Sequence, residues 1–357
     1  MNIKYEKVRN NYTSNIAFDK TKSNILILGK ADTYNERCNI INPMGLYNAR
    51  ELYGESSELY LSYKDAINIT NDNNVFTVNC RTYQDYLNVA ETALHYNFDY
   101  FVPTELKFED TFYNQTTKQV QYYVNYFMYL IEECSCVTTI IMTDHHSKNY
   151  ETIDSYLRYV KQQMSSYYND ALRDSEVSAL LERNASDIVY VPNNLVDCKY
   201  ANVVMAAQLA NKKFNSYPKD QPYKTFYDIE NRDISEYEIP FHKYNYLTKR
   251  CSIDNLVNMR LTNDVYKNIL IDNMIKATIK NLGLNEYKGK IYNAYVKLQI
   301  ENKVKKIMDD LIGVYFKNYQ LINVGFVKTE QTSGYIYIEL SIMPYGYMDY
   351  INMVMEV

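Results

Sequence analysis

Asp144-His145-His146 is the one place in this chain where a carboxylate stands beside two imidazoles. It follows the apolar run Val137–Thr143, which reads as a parallel strand. The triplet therefore falls at a strand's carboxyl end, where α/β proteins place ligands. A two-metal site there needs further aspartates from the ends of earlier strands. Those ends read Gly29-Lys30-Ala31-Asp32, Asn79-Cys80 and Pro103-Thr104-Glu105, with no Asp-x-Asp pair. A solvent-exposed loop is the better reading of the triplet.

Other reactive groups are just as sparse. Cys134-Ser135-Cys136 is one residue short of a Cys-x-x-Cys knuckle, and no second pair follows it, so buried thiols are expected. Gly29-Lys30 follows a strand but lacks the preceding glycine of a phosphate loop, and Gly-x-Gly-x-x-Gly is absent. Gly-x-Ser-x-Gly is absent too. Of the remaining histidines, His95 lies in a helical run and His242 in an irregular stretch. Glu132-Glu133 and Asp309-Asp310 fit solvated helix faces. No catalytic constellation assembles, so a non-enzyme without a cofactor or metal is expected.

Composition sets the outer bounds. The chain has 357 residues, 46% apolar and 23% charged, enough for one large or two ordinary domains. Forty tyrosines with no tryptophan are unusual; tyrosine suits protein interfaces, though a coding bias toward Asn, Lys, Ile and Tyr gives the same excess. A net charge of −5 without a dense basic block argues against nucleic acid as a partner. Six scattered cysteines read as reduced, intracellular thiols. The first residues lack an apolar targeting core and no run has the length of a membrane span, so synthesis in a cytoplasm without membrane insertion is expected.

The elements that would position these groups alternate along the chain. Residues 1–22 look like a polar arm. Residues 23–213 read as an α/β domain, a mostly parallel sheet flanked by helices. Its strands are 24–29, 75–79, 99–102 closed by Pro103, 137–143, and 187–191 closed by Pro192. Its helices are 46–53, 56–69 capped by Ser56 or Ser57, 81–96, 116–133, 151–168, 175–184 and 201–210. Residues 214–262, with three prolines and weak periodicity, read as an irregular connector or small module.

Residues 263–343 read as an α+β unit. A helix is predicted over 264–282 and another over 294–318, with an apolar stripe at Ile300, Val304, Ile307, Met308, Leu311 and Tyr315. Strand 321–327, a turn at Thr332-Ser333-Gly334 and strand 335–343 make a hairpin. In the last strand Ile336, Ile338, Leu340 and Ile342 share one face, and Pro344 ends it. Residues 344–357 form a terminal arm whose alternation places Ile351, Met353, Met355 and Val357 together. Such a strand offers backbone edges to its own sheet or to another copy.

The order of these parts resembles the contractile tail sheath proteins of phages and phage-derived contractile particles. The N-terminal likeness lies in Asn24–Gly29, Ile41-Asn42-Pro43, Ala49–Gly54, Ser57–Leu61, Asn74–Asn79 and Phe98–Pro103. The C-terminal likeness lies in helix 294–318, strand 321–327, Met343-Pro344 and Met348–Ile351. The glycine-Val-Asn and Trp-Gly-x-Arg-Thr phrases of many sheaths are missing from 224–262. The resemblance implies stacked hexameric rings around a tail tube, contracting to drive the tube into a target cell. The partners it implies are other copies of the chain, the tail tube protein, and baseplate and tail terminator proteins. The location it implies is a virion tail assembled in the host cytoplasm. It implies that both arms add strands to neighbouring subunits, and that Lys303, Lys305 and Lys306 form a candidate tube-facing surface. Two rivals stand beside it. One is a sheath-derived tail terminator or baseplate component. The other is a metal-dependent phosphoesterase, because Asp144-His145-His146 also resembles the motif of the Asp-His-His phosphoesterases.

Overall fold

The structure is a computed structural model. It describes residues 23–70, 74–94, 98–115, 118–134, 138–144, 150–184, 188–211, 220–225, 239–254, 291–312, 316–327 and 335–344.

Six strands form the central sheet: β1 (Ile25–Gly29), β2 (Ile40–Ile41), β3 (Val75–Asn79), β4 (Tyr100–Pro103), β7 (Thr139–Met142) and β8 (Ile188–Tyr190). Their order is β2-β3-β1-β4-β7-β8. The last five run parallel, and the short β2 lies antiparallel on β3 at one edge. The parallel strands are apolar runs because helices cover both faces. Ile25 and Ile27 point to one side with Val102 and Ile141, while Leu26 and Leu28 point to the other with Phe101 and Ile140.

Two cores follow from that alternation. On the first face lie α1 (Leu46–Tyr53), α2 (Glu58–Thr70) and α7 (Ala201–Ala210). Helix α7 is buried from Ala201 through Leu209, so its small residues set how closely it approaches the sheet. Its buried Asn202 donates to the carbonyls of Pro103 and Ile141, joining the helix to β4 and β7. On the second face lie α3 (Tyr83–Ala93), α4 (Tyr123–Cys134), α5 (Ile153–Arg173) and α6 (Ser175–Asn184). Thr82 and Thr152 cap α3 and α5 through reciprocal bonds with Asp85 and Ser155.

Three elements differ from expectation. The helix predicted over 116–133 starts only at Tyr123; before it, β5 (Thr111–Asn114) and β6 (Gln119–Tyr122) form a hairpin. Tyr113 faces Val120 across it, and Lys118 takes a left-handed φ of 56° that ends helical continuity. The helix predicted over 294–318 stops at Leu311 as α8 (Ala294–Leu311), and Phe316 already belongs to β11 (Phe316–Val327). Gly313 and Val314, poor helix formers, fall between them. Within 214–262, weakly periodic in sequence, β9 (Phe241–Asn245) and β10 (Arg250–Asp254) form an antiparallel hairpin. Phe241 joins the second-face core, and Cys251 and Ile253 join the first. The helix predicted over 264–282 lies outside the described residues.

β11 pairs antiparallel with β12 (Tyr335–Pro344), from Val327 opposite Tyr335 to Phe316 opposite Pro344. Register shifts fall between Phe316 and Asn318 and between Leu321 and Asn323. Helix α8, capped by Asn293, buries Ile300, Val304 and Met308. Val324 of β11 is also fully buried, and the Tyr292 hydroxyl donates to its carbonyl at 3.0 Å.

Candidate functional site: a filled sheet crevice and a two-stranded surface

The parallel strands follow a doubly wound order whose switch point lies between β1 and β4, the usual ligand crevice of such sheets. Here protein fills that place. A Cβ on Gly29 would sit 2.7 Å from the Thr104 hydroxyl and 3.4 Å from Leu59. Thr104 donates both its N–H and its hydroxyl to the Leu28 carbonyl. Leu59, in the first turn of α2, donates to the Lys30 carbonyl. Glycine at position 29 thus admits close packing of strand, loop and helix. Beside it, Glu58 is ion-paired with Lys199.

Asp144 is not in a solvent-exposed loop, contrary to expectation: it is buried at the end of β7. Its Oδ2 accepts from the Tyr190 hydroxyl at 2.5 Å. Its Oδ1 accepts from the Asn193 backbone N–H at 3.0 Å and from the Tyr156 hydroxyl at 3.4 Å. Burial pushes the carboxyl up to about 7 against the pull of these donors. Nearby, Glu109 accepts from the Tyr159 hydroxyl at 2.6 Å. Both oxygens of Asp144 are thus engaged in tying β7 to β8, α5 and the loop after β8. His145 and His146 lie outside the described residues, as do His95, Ser135 and Cys136. Among the described residues, no three His, Cys, Asp or Glu side chains are grouped to hold a metal ion.

His242, which the sequence placed in an irregular stretch, is buried on β9. Its Nε2 lies 3.2 Å from Gln208 Oε1 of α7, and burial lowers its pKa to about 3. The Asn194 side-chain amide donates to the His242 carbonyl at 2.9 Å. A ring held neutral in this way fastens the β9–β10 hairpin to the body. Cys38, Cys80, Cys198 and Cys251 are free thiols, and burial pushes all four upward in pKa.

The surface of α8, β11 and β12 has a different character. Lys305 and Lys306 are exposed, facing away from the buried stripe of α8, and Lys303 is half-buried on its flank. The Tyr319 hydroxyl of β11 donates to Asp309 at 2.8 Å and to the Lys305 carbonyl at 3.2 Å, fixing the strand against that helix. Among the described residues, β11 and β12 make a sheet of only two strands. Ile351, Met353, Met355 and Val357 lie outside the described residues, as does the arm 1–22. No described helix is long and apolar enough to cross a membrane.

No family model and no curated protein sequence matches this chain. Solved structures do. A chain of the anti-feeding prophage baseplate in its contracted state superposes with a TM-score of 0.58 at 9% identity, covering 99% of this chain and 97% of the other. The sheath tail protein Lin1278 from Listeria innocua superposes with a TM-score of 0.54 at 8% identity, covering 90% and 95%. The likeness covers nearly the whole chain and carries almost no sequence identity: this chain has the fold of a contractile tail sheath protein.

Proposed function

We propose that this chain is a structural, non-enzymatic subunit of a contractile tail sheath, polymerising as stacked hexameric rings around a tail tube. The observation that carries this reading is the end-to-end fold likeness, 99% of this chain on 97% of a baseplate chain from a contractile particle. A likeness confined to the α/β sheet would speak only for a common scaffold. In this reading the residue groups 263–343 and 23–213 act as separate bodies joined through 214–262. The terminal segments 1–22 and 344–357 add strands to the two-stranded sheet of neighbouring copies, with Ile351, Met353, Met355 and Val357 as the inward-facing positions. Each added strand supplies a row of backbone hydrogen bonds, so links persist while subunits rotate as rigid bodies. Energy is stored in the extended packing and released on contraction, which drives the tube into the target cell.

The partners are then other copies of the chain, the tube protein, and baseplate and terminator proteins, with the virion tail as the final location. A baseplate component on the same fold is the second reading, favoured by the source of the 0.58 superposition. Negative-stain microscopy of the purified chain separates them. Tubes of stacked rings support the sheath, single rings a baseplate or terminator role, and monomers at every concentration overturn both.

A further inference from the structure

The β9–β10 hairpin ends in a tip with unusual exposure. Leu247 is 94% exposed and Tyr246 58% exposed. A lone exposed leucine needs no explanation, but this one is held in fixed geometry. Asn245 Oδ1 accepts from the N–H groups of both Leu247 and Thr248, at 2.9 and 3.0 Å. Lys249 closes the turn with a φ of 54°, and Tyr244 packs edge-on to Tyr246 at 5.0 Å. The base of the hairpin is anchored by buried Phe241, His242, Cys251 and Ile253, and by backbone bonds in both directions between Gln221 and Cys251. Little order is left to be gained when such a tip meets a partner, which favours binding. Residues 241–250 also carry Lys243, Lys249 and Arg250 and no carboxylate, in a chain of net charge −5.

The complement is present on the same chain. Met44 and Tyr47, at the start of α1, are 73% and 75% exposed. Glu51, one helical turn after Tyr47, is exposed as well, and so is Asp32, which donates its N–H to the Tyr53 carbonyl at the far end of α1. Arg50, on the same helix, is ion-paired with Glu55 at 2.5 Å. Two other exposed apolar patches lack this charge. Tyr113 and Val120 flank Lys118, and Tyr295 and Leu298 flank Lys297, itself near Glu301.

We propose that the tip Tyr246–Lys249 of one copy docks on the Met44–Tyr47–Glu51 patch of a second copy, Leu247 as the apolar knob and Lys249 facing Glu51. The contact joins two different surfaces, so it propagates into rings or filaments rather than closing a dimer. It rests on the self-assembling reading above, but on other residues than the terminal strands.

The test measures self-association of the full chain by sedimentation, with thermal midpoints as the folding control. Leu247→Asp is expected to leave the midpoint unchanged and to raise the concentration needed for assembly by at least about tenfold. Lys249→Glu and Glu51→Lys should each weaken assembly, and the double variant should restore it. Wild-type assembly with unaffected Leu247→Asp assembly, or a double variant no better than its parents, overturns this contact alone. A wild type that never self-associates overturns it together with the sheath reading. Leu247-dependent binding to phosphatidylserine vesicles without self-association overturns it in favour of a lipid surface.

Discussion

The Tyr190 hydroxyl donates to Asp144 Oδ2 at 2.5 Å across 46 residues of sequence, and both side chains are buried. The acid of the one metal-like triplet in the chain is therefore a cross-link between neighbouring strands. Removing it takes the acceptor from the Tyr190 hydroxyl and the Asn193 backbone N–H. Asp144→Ala is expected to destabilise the fold by about 2–4 kcal/mol, the cost of leaving buried donors unmade. Urea unfolding reads this directly, and a loss below about 0.5 kcal/mol contradicts the cross-link.

Asp144→Asn keeps the shape and removes the titration. The native pKa of Asp144, about 7, lies above its ordinary 3.8. The stability it contributes is fully present below about 3.8 and is lost as pH rises through about 7. Asp65 and Asp99, each raised to about 6 by burial, act in the same direction. His242 opposes them: lowered to about 3, its contribution is present above 6.5 and lost as pH falls. The difference in stability between Asp144→Asn and wild type should therefore shift in favour of the variant between about pH 4 and about pH 7. Parallel curves over that range exclude the assignment.

Gly29 and Thr104 share one volume. Gly29→Ala is expected to cost about 1–3 kcal/mol through overpacking of backbone-anchored atoms. Thr104→Ala removes the hydroxyl 2.7 Å from the new methyl. The double variant should recover part of the loss, a coupling that a double-mutant cycle measures. Additive losses place the strain elsewhere.

On α8 the two faces should separate cleanly. Met308→Ala opens a cavity against a fully buried site and should cost about 2–5 kcal/mol. Lys305→Glu with Lys306→Glu, both exposed, should change stability by less than about 1 kcal/mol yet weaken co-assembly with the tube protein. Unchanged co-sedimentation with tubes removes these lysines from the tube surface.

Deletion of 345–357 should abolish polymerisation and leave the thermal midpoint of the α/β sheet in place. Assembly that survives the deletion ends the strand-exchange reading.

Much of the sheet is legible in the sequence. Ile25–Leu28 and Val75–Val78 are largely apolar runs of strand length, and they form β1 and β3. The misreadings share one cause. At Gln119–Tyr122 and Phe316–Asn318, aromatic and polar residues fit the continuation of a helical stripe as well as a pleat, and pairing partners decide. His242 and Asp144 were misplaced for a related reason: polar residues in polar neighbourhoods give no sign of burial until distant chain segments close over them.

The sequence by itself determined the α/β alternation, the absence of a catalytic signature, the resemblance in order of parts, and the hairpin before Pro344. All of these depend on local periodicity, turn residues or their lack. Only the tertiary structure decided the strand order, the filling of the crevice between β1 and β4, and the partners of Asp144. Each of those depends on contacts between residues tens of positions apart, such as Thr104 with Leu28 or Tyr190 with Asp144. A hydrogen bond or a packed methyl at that separation is set by how layers stack, which no local pattern encodes.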